Sequence, residues 1–100
     1  MNIKKIETIL DESKQLHDEM KLKLHLGSAD AKEKLNTLES SYTTLKTKVQ
    51  KISNVAGDSA KELKTAAELG YGGTKEDATV ALELAANELK DSFKKIKNLF

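Results

Sequence analysis

From Ile3 to Leu99 apolar side chains return at alternating three- and four-residue steps, and no proline interrupts them. That period puts a stripe along one face of an α-helix; a half-buried strand would need a period of two. Three runs carry it. The first is Ile3, Ile6, Leu10, Met20 and Leu24, with Ser13 and His17 at the intervening steps. The second is Leu35, Leu38, Tyr42, Leu45, Val49 and Ile52, and its phase continues through Ala56, Ser59, Leu63 and Ala66. The third is Ala78, Leu82, Ala85, Leu89, Ser92, Ile96 and Leu99. The expected fold is therefore all-α: an antiparallel helical hairpin or three-helix bundle with coiled-coil-like heptad packing. The residues expected to form its core and interface are Ile6, Leu10, Met20, Leu24, Leu35, Leu38, Leu45, Val49, Ile52, Leu82, Leu89 and Ile96.

Glycines divide the chain. Three of the five fall within four positions, at Gly70, Gly72 and Gly73. This marks 70–74 as the loop where the chain reverses. Helices are expected over about 2–26, 29–69 and 75–99, within one helical domain 1–100. Asn2 and Thr74 are the candidate N-caps of the outer helices. Acidic Glu76 and Asp77 open the last helix and Lys94, Lys95 and Lys97 close it, which suits the helix dipole. At Gly27-Ser28-Ala29-Asp30 two models compete. Ser28 or Asp30 can cap a new helix, and Asp30 has Glu33 at capping-box spacing. Alternatively one helix runs through and the small residues mark a close approach. Adjacent cap signals favour the turn. At Gly57, with Ser59 and Glu62 at capping-box spacing, the unbroken apolar phase favours a continuous helix.

Apolar residues make up 38% of the chain and aromatics 4%, with no Trp, against 33% charged residues. A core so poor in bulky side chains is thin, and small chains with thin cores are marginal alone. Self-association or a protein partner is expected for that reason. The net charge is +1 and every one of the 17 basic residues is Lys. Without Arg, the residue best suited to bidentate phosphate and base contacts, nucleic acid is not an expected partner. Cys is absent, which removes disulfides and thiolate chemistry. No window has the roughly 18 apolar residues of a membrane span. The start turns acidic at Asp11-Glu12 and lacks a signal-peptide apolar run. A cytoplasmic location is expected.

Candidate sites are few. Gly70-Tyr71-Gly72-Gly73-Thr74-Lys75 ahead of a helix has the look of a phosphate cradle, but no strand precedes it and Thr comes before Lys, the reverse of a P-loop. It reads better as a helix–helix turn. His17 and His25 lie about 12 Å apart along a helix axis, too far to share a metal ion. His17 reads as a boundary histidine on the seam. Asp11/Glu12, Asp18/Glu19 and Glu88/Asp91 sit among lysines and read as solvated surface. Glu19 with Lys23 makes an i,i+4 pair. Lys46, Lys48 and Lys51 read as a solvated helix face. Phe93 to Phe100 is a cationic amphipathic stretch that can lie on an anionic membrane, though a bundle helix explains it more simply.

In size and hairpin pattern the chain is similar to the WXG100-type secreted hairpin proteins. It has no Trp for their Trp-x-Gly turn, and Phe93 is followed four residues later by Lys97, where their tail carries Tyr-x-x-x-Asp/Glu. No residue role carries over. No cofactor, metal or small-molecule substrate is expected. The expected function is that of a non-enzymatic interaction protein that self-associates or docks a protein partner through its apolar seam. A membrane-surface protein using the C-terminal helix is the alternative, with a WXG100-like secreted hairpin beside it.

Overall fold

A computed structural model of the protein describes residues 3–55, 57–70 and 75–100. Helix α1 spans Ile3–Leu22, and a 3₁₀ turn follows at Leu24–Leu26. Helix α2 spans Ala29–Asn54, α3 Ser59–Glu68 and α4 Lys75–Lys97. No strand occurs among the described residues. The shape is a rod of 48 × 20 × 17 Å. Helices α1 and α4, the outer helices in sequence, make the most extensive contact and run parallel: Lys5 meets Glu83 at one end and Glu19 meets Lys97 at the other. Helix α2 runs antiparallel to α1, so that His17 reaches Glu39. It also packs along α4, which closes a three-helix bundle. The outer helices therefore overlap along the middle one. Short α3 packs against α2 and α4.

The break near residue 27 is a turn. Ser28 is the N-cap of α2, and its hydroxyl accepts a hydrogen bond from the Ala31 amide at 3.1 Å. Gly27 has an ordinary extended backbone, φ −83° and ψ 152°. A Cβ there would overlap the ring of Phe100, so a larger residue would have to displace that ring. Turn and close approach, set against each other in the sequence, coexist.

The continuous helix expected over 29–69 is not found. Helix α2 stops at Asn54 and α3 begins at Ser59. The cause is local. Gly57 takes a left-handed φ of +92°, which side chains other than glycine resist. Asp58, not Ser59, then caps α3, its carboxylate accepting from the Lys61 amide at 3.1 Å. Buried Glu62 reaches back and accepts from the Gly57 amide at 3.1 Å. Two carboxylates thus satisfy amides that the end of a helix leaves without partners. Gly70 also has a left-handed φ, +87°, just beyond α3. The rest of the expected reversal loop, Tyr71 to Thr74 with its cap, lies outside the described residues, as do Asn2 and Ala56.

The core is a single cluster along the bundle axis. Ile6, Ile52, Leu82 and Phe93 are fully buried, and Met20 and Val49 nearly so. Towards α3 the buried side chains shrink to Ala66, Ala78 and Ala86. Ser13 is the polar interruption in the α1 stripe. It is fully buried and spends its hydroxyl proton on the Ile9 carbonyl at 2.9 Å, so no buried donor is left unpaired. Phe93 is the largest fully buried side chain and stands edge-on to His17, ring centroids 6.1 Å apart. Phe93→Ala is expected to cost about 3–5 kcal/mol in urea denaturation, by lost burial plus a cavity. Leu84→Ala, at a side chain 56% exposed, is expected to stay within about 0.5 kcal/mol of wild type. Equal losses would contradict this placement of the core.

Candidate functional site

The residues expected to carry core and interface are consumed by the fold. Ile6, Leu10, Met20, Leu35, Leu45, Val49, Ile52, Leu82, Leu89 and Ile96 are buried, and Leu24 and Leu38 are half-buried against them. The apolar seam therefore closes within one chain. A partner docking on that seam would have to open the bundle first. Surfaces able to meet another molecule lie outside it, among them the α1–α4 edge and the α2–α4 groove.

The α1–α4 edge is a ladder of ion pairs. Lys5 Nζ lies 2.8 Å from Glu83 Oε1, and Lys97 Nζ lies 2.8 Å from Glu19 Oε2. Between them the Lys90 ammonium pairs with the Glu12 carboxylate. Lys5, Glu12 and Glu19 sit at heptad spacing, each just before a buried residue of α1: Ile6, Ser13 and Met20. Glu83, Lys90 and Lys97 repeat the spacing on α4. Every pair joins residues 78 positions apart, the pattern of flanking charges in a parallel coiled coil. Glu12 and Glu19 are thus cross-helix partners rather than plain solvated surface, and Glu19 pairs with Lys97 rather than with Lys23. The signal was present in the sequence as matched heptads of opposite charge, but only the parallel arrangement pairs them.

The hydrogen bond from Lys97, followed by its charge, holds the Glu19 carboxyl below the usual carboxylate range, and Lys23 adds to the effect. A group whose pKa falls on folding stabilises the fold above its unfolded value. That contribution is lost as pH drops through the folded value. Wild type is therefore expected to exceed Glu19→Gln in thermal stability at pH 7 by a small margin, because the pair is exposed. The margin should close below about pH 4, near the intrinsic carboxylate range. A margin that is the same at pH 3 and pH 7 would contradict the pair.

The groove between α2 and α4 encloses about 540 Å³. Leu45, Ala85 and Leu89 supply its apolar part, and Thr37, Ser40, Ser41 and Thr44 supply hydroxyls. It is prolonged towards Leu38, Ser92 and Ile96 by a second hollow of about 310 Å³. The hydroxyl-rich stretch of α2 reads in sequence as weak helix. In the structure four of its side chains, Thr37, Ser41, Thr43 and Thr47, bond their own backbone. Thr37 donates to the Glu33 carbonyl at 3.1 Å and Ser41 to the Thr37 carbonyl at 3.2 Å. Thr43 donates to Glu39 and Thr47 to Thr43 in the same way. Their protons are engaged within the helix, so Thr37 and Ser41 offer the groove oxygen lone pairs and small apolar surface.

The remaining candidates stay apart. His17 bonds Asp18 Oδ1 and Glu39 Oε2, both at 3.2 Å, while His25 is exposed on the 3₁₀ turn. No group of three or more His, Cys, Asp or Glu residues able to hold a metal ion occurs among the described residues. Lys46 lies over the Tyr42 ring at 5.8 Å, and partial burial pushes the Tyr42 phenol up. Of the cationic C-terminal stretch, Phe93 and Ile96 are buried and Phe100 covers Gly27. No described helix is long and apolar enough to cross a membrane. No protein-family model, curated protein or solved structure matches this chain.

Proposed function

We propose that this chain is a non-enzymatic interaction protein whose α2–α4 face takes up a fourth helix, supplied by a second copy or by a protein partner. The supporting observation is the groove itself. It runs between two antiparallel helices, with Leu45, Ala85 and Leu89 along it and short hydroxyl side chains at its edge. Small edge residues let another backbone come close, and an amphipathic helix laid into such a groove buries its apolar face. The lining combines these hydroxyls with Lys48, and its prolongation adds Asp30, Glu33 and Lys34 beside Leu38 and Ile96, so polar and charged side chains border the apolar strip. The seam expected to dock the partner is internal, so the proposal moves the contact from that seam to the groove beside it. Helix α4 also leaves Val80 and Leu84 exposed, four residues apart on one face.

Light scattering across a concentration series tests it. The expected mass rises from the 11.0 kDa monomer with concentration. A Ser41→Lys/Ala85→Lys variant places two long cations on the groove. It is expected to keep its helicity and associate at least about tenfold more weakly, equivalent to about 1.4 kcal/mol. A wild-type monomer at every concentration would remove self-association and leave the face to a different protein. Equal association by wild type and variant would contradict the groove as the contact.

A further inference from the structure

Of the two histidines, only His17 is built into the bundle. It occupies a polar step of the α1 stripe, and its side chain is 14% exposed. All three long helices meet on it. Nδ1 lies 3.2 Å from Asp18 Oδ1 on α1, and Nε2 lies 3.2 Å from Glu39 Oε2 on α2. The Phe93 ring of α4, fully buried, closes the third side edge-on. His25 is exposed on the 3₁₀ turn.

This arrangement asks for two protons on one ring. An ionised carboxylate only accepts hydrogen bonds. A neutral imidazole donates from one nitrogen and presents a lone pair at the other. Either neutral tautomer would therefore satisfy one carboxylate and set a lone pair against the other. Only the imidazolium, with a proton on each nitrogen, satisfies Asp18 and Glu39 together. Hydrogen bonds between ionised partners are also the stronger ones. Other charges stand further off. On α1, Lys14 and Lys21 lie one turn to either side of His17. On α2, the Tyr42 phenol follows Glu39 by three residues, with the Lys46 ammonium over its ring. On α4, Lys90 and Lys97 flank Phe93, and they pair with Glu12 and Glu19. The lysines oppose a further positive charge, but the two carboxylates are the groups in contact with the ring.

We propose that His17 is a proton-operated clamp between α1 and α2. Histidine changes charge between about pH 5 and 8. At the acidic end of that range both N–H groups donate, and the ring ties the two helices together. At the alkaline end one proton has gone to solvent, one carboxylate faces a lone pair, and the tie slackens. The clamp adds stability in acid and loses it as pH rises, the opposite sense to the Glu19–Lys97 pair. Neither His17 nor Glu39 lines the α2–α4 groove, so the clamp stands or falls independently of the proposed helix docking.

A double-mutant cycle tests it. Wild type, His17→Gln, Glu39→Gln and the double variant are unfolded in urea at pH 5.5 and at pH 8. Both values lie above the ordinary carboxylate range, and His25 is common to all four proteins, so the change with pH reports on His17. The coupling is expected to be about threefold or more in the unfolding equilibrium constant at pH 5.5, the scale of a part-exposed ion pair, and at most about 1.5-fold at pH 8. The same cycle on an Asp18→Asn background separates the clamp from a simple ion pair. There the Asn amide can donate to Nδ1, which leaves a proton on Nε2 for Glu39 even in the neutral ring. The coupling at pH 8 should then exceed that found with Asp18 in place. Should His17→Gln fail to fold, Glu39→Gln alone, at a side chain 46% exposed, carries the comparison: it should lose more stability at pH 5.5 than at pH 8. Coupling that is equal at the two pH values, or absent at pH 5.5, would overturn the proposal. So would an Asp18→Asn background that leaves the coupling at pH 8 unchanged.

Discussion

Everything in this bundle depends on α1 and α4 lying side by side in the same direction. Parallel neighbours cannot be joined by a tight turn, so the chain must travel the length of the rod between the end of α1 and the start of α4. Helix α2 supplies that return. The contact between the first and last helices joins residues 78 positions apart, a separation of the kind that slows folding. Phe93 and Met20 give that contact its bulk, and both are essentially removed from solvent. The ion pairs alongside give it register. Each exposed pair contributes little on its own. A slip of one heptad would leave one opposed pair among these six residues and set Glu12 against Glu83 or Lys5 against Lys90, so the ladder specifies alignment even where it adds little stability.

Much of this is legible in the chain because a three-and-four period has one efficient solution, and no proline obstructs it. The buried stripe is almost the stripe that the period marks, from Ile6 to Ile96. Phe93 is the main core residue that a strict stripe leaves out: it is fully buried although it lies beside the stripe of Leu89, Ser92 and Ile96. Glycine roles were harder to assign. Gly57 follows an unbroken apolar phase, yet its left-handed φ and the Asp58 cap end one helix and start another. Phase records which side a residue faces, and a kink can preserve it. Gly27 lies against the ring of Phe100, a residue 73 positions away, and no local pattern encodes such a contact. The cross-helix charges belong to the same class. Their heptads are visible, but helix direction decides whether they pair or merely coexist.

Closure of the seam also changes what the molecule has to offer. A thin core suggested that apolar side chains would be shared with another chain. Three helices suffice to bury most of them, and what remains exposed is sorted into distinct places. Hydroxyls and small residues line the α2–α4 groove, charges bridge α1 to α4, and leucines with lysines collect at one end. A fourth helix needs a long apolar trough with low walls.

The parallel pairing of α1 with α4 can be tested directly by thiol cross-linking, for which the absence of native cysteine leaves a clean background. Cysteines at 5 and 83, at 19 and 97, and at 5 and 97 would be treated with a bismaleimide reaching about 10 Å, the interaxial distance of packed helices. The first two variants should link within one chain and run as monomers, while the third, spanning opposite ends of the bundle, should not. Efficient intramolecular linking of 5 to 97, or linking of 5 to 83 only between chains, would contradict the parallel bundle and everything argued from it.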